Sequence, residues 1–426
     1  MPTSPHLLFW DLIERHLDEA EFLWGVWEHS LLAPDYTLDD VAKESEERLL
    51  AHVDGLVANG PEAARRLLFP ALEHGEPHRV SAAALALLQS PGEAGVEVVM
   101  TALRTRPKQR GPLTRALTCA ERPDLLGRLR GLLAELDLDV VAAAAEVLAF
   151  HHEPLGTTLP VLLASDSPVA ARALALQALP HEPAPARYMA ALQAGLVDEN
   201  PRVAAAAMEA GCRLGVPAAW QRVRARAADA DKMAMLLLAL GGGPAEHAAL
   251  KAALAHAAHR PAALWALGFV GTPEAVDTSL ELINDKQSGH LAGEVFSVVT
   301  GVNLVEAHLV APPPEEDEPL DHTAEDDLPR PDPVKVRHWW MRHREKFTPG
   351  QRYLMGEPRS LAGVYAALAH GPMRRRPALL LDLQLRSSAK PGPLLQTRAP
   401  TWRQYKALAA LRALAATEID VLRPLL

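Results

Sequence analysis

Eight prolines, Pro61, Pro91, Pro123, Pro154, Pro183, Pro217, Pro244 and Pro273, recur 27 to 34 residues apart. A single globular core imposes no such period, whereas a stack of short helical units does. Each proline is followed by a short apolar-periodic segment. The better-matched units are preceded by an Ala-rich segment opened by Asp, Asn or Pro, as in DLDVVAAAAEVLAF at 137–150. Proline in a first helical turn costs no intrahelical hydrogen bond, and Asp or Asn there accepts from free amides. Asp137, Asp166 and Asp198 are the expected caps. Each unit therefore reads as two antiparallel helices joined by a Pro-marked turn.

The filling of these units is narrow. Of 426 residues, 75 are Ala and 69 are Leu, and only 20 are Trp, Tyr or Phe. Ala and Leu favour helix, and β-branched and aromatic strand formers are scarce, which argues against a sandwich, a barrel or a large α/β enzyme. Small side chains let helix axes approach toward the lower end of the roughly 8–10 Å range, so the runs Ala142–Ala145 and Ala204–Ala207 read as packing faces.

Pro201-Arg202-Val203-Ala204 through Leu214-Gly215-Val216-Pro217 resembles HEAT repeats, and Ala266–Pro273 resembles the same turn. The expected fold is all-α: a HEAT-like α-solenoid, a right-handed superhelix of antiparallel helix pairs. The expected domains are an N-terminal helical cap (1–60), the repeats (61–303), a Pro/acidic linker (304–336) and a basic helical segment (337–426) that continues the solenoid. A curved rod of this kind offers a concave face to a partner.

The two ends and the break depart from the pattern. Residues 6–30 hold Phe9, Trp10, Phe22, Trp24 and Trp27, which suit a cap sealing the open end of the core; Trp24 and Trp27 are also candidates for an exposed partner surface. Residues 311–333 combine seven prolines with nine acids and read as an extended or disordered linker. Charge divides along the chain. Residues 1–314 carry 25 basic against 39 acidic side chains, residues 315–333 one against nine, and residues 334–426 seventeen against five. In the last segment Trp339, Trp340 and Tyr353 interleave with Arg342, Arg344 and Arg352, and Arg374, Arg375 and Arg376 open a later helix. These residues, with Trp24 and Trp27, form the candidate partner-binding set.

No catalytic, cofactor or metal constellation stands out. HExxH, Cys-x-x-Cys, Gly-x-Ser-x-Gly and phosphate-loop signatures are missing. Glu73-His74-Gly75-Glu76-Pro77-His78 has metal-like spacing, but its Gly and Pro mark a turn. His151-His152 and His181 recur at one repeat phase and read as turn geometry. An enzyme on a HEAT-like scaffold, of DNA-glycosylase or bilin-lyase type, is the alternative, with Trp220, Trp265, Asp229 and Asp231 as its imaginable site. Such a site requires a carboxylate beside two aromatics. A second alternative is nucleic-acid binding through the basic segment; the acidic body opposes it, and pairing of the arginines with acids of the body or of a partner is favoured. Met1–His6 lacks a secretory n-region and no apolar run reaches bilayer length, so a cytoplasmic chain without membrane contact is expected. Cys119 and Cys212 read as small core residues.

Taken together, FLWGVWEH (22–29), EERLLAHVDGL (46–56), FSVVTGVNL (296–304), the Trp339-Trp340 segment with GQRYLMGEP (350–358), GPMRRRPALLLDLQL (371–385) and APTWRQ (399–404) resemble a family of bacterial HEAT-repeat proteins. That resemblance implies a setting beside type VI secretion clusters. The implied role is a non-enzymatic scaffold: an adaptor or chaperone loading an effector, or an immunity protein masking one, with the effector or a secretion component held on the concave face.

Overall fold

The computed structural model describes residues 9–312, 327–387, 394–413, 419–421 and 425–426. Met1–His6 and most of the acidic break, 313–326, lie outside the described residues. Helices carry nearly all the regular structure, and the named strands are two residues long. The chain is all-α. No helix among the described residues is long and apolar enough to cross a membrane.

Two compact units form. The first comprises residues 1–31, 38–191 and 396–405; the second comprises 32–37, 192–395 and 406–426. The 61–303 array expected from the prolines is therefore divided near residue 191, and the C-terminal chain contributes to both units.

In the first unit, helices Trp10–Ser30, Pro77–Gln89, Arg110–Cys119, Leu138–Phe150 and Val169–Ala178 pack each on the next. A second set, including Ala94–Thr105 and Leu125–Leu132, packs against these neighbours. The sequence dictates which set goes inside. Val80 to Leu88 are all buried, as are Val140, Val141, Ala143, Ala144 and Ala145. A helix apolar around its whole circumference must be covered on every side. Asp137 caps Leu138–Phe150 as expected, accepting from Asp139 N (2.9 Å) and Val140 N (3.4 Å). Asp166 does not cap: Pro168 occupies that position of Val169–Ala178.

In the second unit the corresponding row is Pro201–Arg213, Lys232–Gly241, Arg260–Val270 and Gly289–Thr300, flanked by Pro217–Ala227, Pro244–Ala253 and Pro273–Ser279. Asn200, rather than Asp198, caps the first of these through Arg202 N (3.0 Å); Asp198 stabilises the preceding turn at Asn200 N (2.8 Å). Pro217, Pro244 and Pro273 each begin a helix.

The acidic break is not a boundary of this unit. Val310 pairs with Pro331, Ala311 N donates to Arg330 O (2.9 Å) and Asp332 N donates to Leu309 O (2.7 Å), so the flanks of residues 313–326 meet. Helix Pro333–His343 then packs into the same unit. Val336 and Trp340 share one apolar cluster with Val276, Leu280, Ala292, Phe296 and Val299. A domain boundary at residue 337 would cut this helix.

A hairpin, Tyr353–Leu354 with Glu357–Pro358, seals two helix ends. Tyr353 N donates to Gly271 O (2.7 Å), Met355 N to Val298 O (2.8 Å) and Gly356 N to Val299 O (2.9 Å). Gly271 and Gly301, both at φ 72°, close helices Arg260–Val270 and Gly289–Thr300 in the left-handed conformation. A Cβ on Gly301 would lie 2.5 Å from Met355 backbone, and one on Gly271 2.6 Å from Tyr353 O. Gly301→Ala therefore suffers both an unfavourable φ and a backbone collision. A loss of about 2 kcal/mol or more is expected, measured as a lowered denaturant midpoint; an unchanged midpoint would show that the hairpin does not depend on this close approach.

Candidate functional site

The expected partner surface is largely buried in the second unit. Arg374, Arg375 and Arg376 are all buried, as are Trp340 and Tyr353. Arg375 donates to both oxygens of Glu294 (2.8 and 2.9 Å). Arg374 stacks over Trp265 at 4.7 Å. Arg376 Nε donates to Leu368 O (2.6 Å). Arg344 pairs with Asp277 (3.1 Å) and Glu274 (3.7 Å). Thus Arg375 and Arg344 do meet acids of the body, as charge complementarity suggests. Trp339 is half-buried against Phe296, with ring centroids 5.2 Å apart. Arg342 is exposed.

Arg352 does something the sequence does not reveal. It donates to Val270 O (3.0 Å), Phe269 O (2.7 Å) and Ala239 O (3.2 Å), the last carbonyls of two row helices. Arg386 likewise donates to Leu240 O. Helix-end carbonyls lack intrahelical donors and carry the negative end of the dipole, so a guanidinium is a fitting cap. Helix Arg376–Arg386 packs across Pro201–Arg213 and Lys232–Gly241. It brings Asp382, which is fully buried and accepts from Arg359 (2.6 Å) and Arg386 (2.8 Å). Burial pushes this carboxyl upward, but Arg359, Arg386 and Arg352 overcome burial and hold it below the usual carboxylate range. A depressed carboxyl stabilises the fold above its unfolded value and loses that contribution as pH falls. Asp382→Asn is expected to cost about 3–5 kcal/mol near neutral pH, because two buried arginines lose their counter-charge. The difference from the parent chain should shrink below about pH 4. Urea titrations across pH check this; a pH-independent difference would contradict it.

The first unit holds a cavity of 260 Å³ lined by Trp24, Trp27, Glu46, Leu49, Leu50, Leu85, Gln89, Cys119, Glu121, Pro400 and Trp402. Three of the segments that carry the family resemblance converge there: 22–29, 46–56 and 399–404. Trp24 and Trp27 are buried and meet edge to face at 5.6 Å, so they give no free surface. Phe9 and Phe22 are the exposed aromatics of this end. A π-helical turn, Val41–Glu46, turns both Ser45 and Glu46 inward. Glu46 accepts from Trp27 Nε1 (2.9 Å), Thr401 N (2.9 Å to each oxygen) and Thr401 Oγ1 (2.7 Å). Burial raises its pKa, and these donors only partly offset the effect. Arg403, beside Thr401, donates to Thr118 O (2.8 Å) and Ala120 O (2.6 Å) and so caps Arg110–Cys119. The rule seen with Arg352 is repeated.

Trp220 is buried against Gly241, Asp231 caps Lys232–Gly241 at Ala234 N (3.0 Å), and Asp229 is exposed. His74 and His78 are exposed on either side of the Gly75 turn. His152 and His181 have ring centroids 5.2 Å apart. Among the described residues no group of three or more His, Cys, Asp or Glu has metal-binding geometry. Cys119 and Cys212 are buried free thiols whose pKa values are raised by burial.

No family model matches the chain, and the search of curated proteins finds no match. Among solved structures, an engineered protein aligns over 75% of this chain and 99% of its own at 16% identity, with a TM-score of 0.28. Human deoxyhypusine hydroxylase in complex with glycerol aligns over 65% and 96% at 17% identity, with a TM-score of 0.20. Neither superposition is close enough to carry an argument.

Proposed function

We propose that the protein is a non-enzymatic, protein-binding scaffold of HEAT-like α-solenoid type. Its setting, on the family resemblance, is type VI secretion, as an adaptor or chaperone loading an effector or as an immunity protein masking one. The observation that carries the reading is the outward face of helix Pro333–His343. Val334 and Met341, seven residues apart, are 74% and 73% exposed, with His338 between them and Lys335 and Arg342 alongside. Large apolar side chains at helical spacing, rimmed by positive charge, suit a partner with an apolar patch and acidic border. The row helices are an inferior candidate, since helix Arg376–Arg386 in one unit and residues 396–405 in the other already pack on them. Two buried carboxylates speak against catalysis. Glu46, although it sits beside Trp24, Trp27 and Trp402 as an enzyme site would require, is held by Trp27 and Thr401, and Asp382 is clamped by two arginines.

Affinity purification with the products of neighbouring genes tests this reading. At least one should co-purify, and Val334→Asp with Met341→Asp should abolish capture while leaving the melting temperature within a few degrees. Rescue of toxicity on co-expression marks an immunity role; delivery without rescue marks loading. Capture of nothing, with tight salt-sensitive binding of nucleic acid instead, overturns it.

A further inference from the structure

Buried charges in proteins are ordinarily paired with an opposite charge. Asp382 and Glu294 follow that rule. Glu46 does not. It is 4% exposed, and its donors, the Trp27 indole and the Thr401 amide and hydroxyl, are all neutral. Arg115, whose charge acts on Glu46 without touching it, is bound to Glu28 and to Arg398 O (2.8 Å). Arg403 is spent on Thr118 O and Ala120 O. Glu46 also borders the 260 Å³ cavity, and none of the residues lining that cavity is basic.

The rest of the lining sharpens the chemistry. Trp24, Leu49, Leu50, Leu85 and Pro400 make the interior apolar. Trp402, 38% exposed, stands at the mouth, and Arg403 lies 5.1 Å from its ring, so the indole already accepts a cation. The exposed side chains of Gln89 and Glu121 make no hydrogen bond among the described residues, and the charge of Arg403 acts on Glu121. Indole faces and carboxylates together favour a positive group, and the apolar walls favour a hydrophobic body.

We propose that this cavity binds a cationic amine or guanidinium carried on an apolar, aromatic or branched body, which supplies the direct ion pair that Glu46 lacks. The ligand is a free amine or such a side chain from a peptide. This site is separate from the outward face of Pro333–His343, and either can fail without the other.

Isothermal titration of the full chain with tryptamine, neutral 3-ethylindole and indole-3-propionate tests the proposal. Tryptamine should bind about tenfold or more tighter than 3-ethylindole, and the anion weaker still. Leu50→Trp, which fills the cavity from a half-buried position, should abolish binding. Glu46→Gln should erase the preference for the cation; if that variant does not fold, Glu121→Gln on the exposed rim should weaken tryptamine and leave 3-ethylindole unchanged. A capped Leu-Lys-Leu peptide forms the second arm. Binding of the peptide but not tryptamine, lost in Leu50→Trp, supports the site and assigns it to a partner's side chain. Equal affinities for cation and neutral isostere, binding that survives Leu50→Trp, or no binding in either arm overturns the proposal.

Discussion

Short buried helices concentrate a problem at their C-terminal ends. Each leaves its last carbonyls without an intrahelical donor, and a row of such helices aligns these acceptors where water is excluded. Here arginines answer it. Arg352 and Arg386 cap Lys232–Gly241 and Arg260–Val270 in one unit, and Arg403 caps Arg110–Cys119 in the other. Arg122, reaching Ser90 O and Gly92 O, does the same beside Pro77–Gln89 from within the first unit. A guanidinium suits the task, because its planar fork reaches several carbonyls at once and its charge meets the negative end of the helix dipole. The remaining arrangement depends on these caps. They tie the C-terminal chain to the row helices, and the carboxylates of Asp382 and Glu46 then hold that chain in place.

Much of the helical architecture was legible in the sequence, and the reason is local. Proline and Asp or Asn act within one turn of their own position, so Asp137 and Pro217 announce helix starts without help from the rest of the chain. Where two capping candidates compete, as at Asp198 and Asn200, the nearer one wins, and only backbone geometry decides. The destination of the basic segment was not legible. A count of seventeen basic residues looks the same whether guanidiniums face solvent, a partner or helix carbonyls. One signal pointed the right way: Lys232–Gly241 is apolar around its whole circumference, which demands cover on the face away from its flanking helix. The Glu46 cavity was missed for a different reason. Its walls come from residues 24, 46, 85, 119 and 402, and no periodicity links them.

Two of the buried carboxylates show how position separates similar groups. Asp382 lies between arginines, is held ionised and stabilises the fold. Glu46 lies among neutral donors, is pushed toward its neutral form and borders open space. One completes a structural joint; the other has no direct ion pair among the described residues. The exposed positions divide in the same way. Most expected surface residues, such as Tyr353 and Arg376, are structural, while Val334, Met341 and Arg342 on one helix face remain available.

The role of the arginines as helix-end caps is tested most directly by a charge-matched pair, Arg352→Met and Arg342→Met, compared by chemical denaturation and amide hydrogen exchange. Each variant removes one positive charge from the same segment. If geometry governs, Arg352→Met loses about 1.5–3 kcal/mol and exchange quickens at the C-terminal turns of Lys232–Gly241 and Arg260–Val270, whereas Arg342→Met stays within about 0.5 kcal/mol of the parent. Equal stability and exchange in the two variants would contradict the capping role and leave only net charge to explain the basic segment.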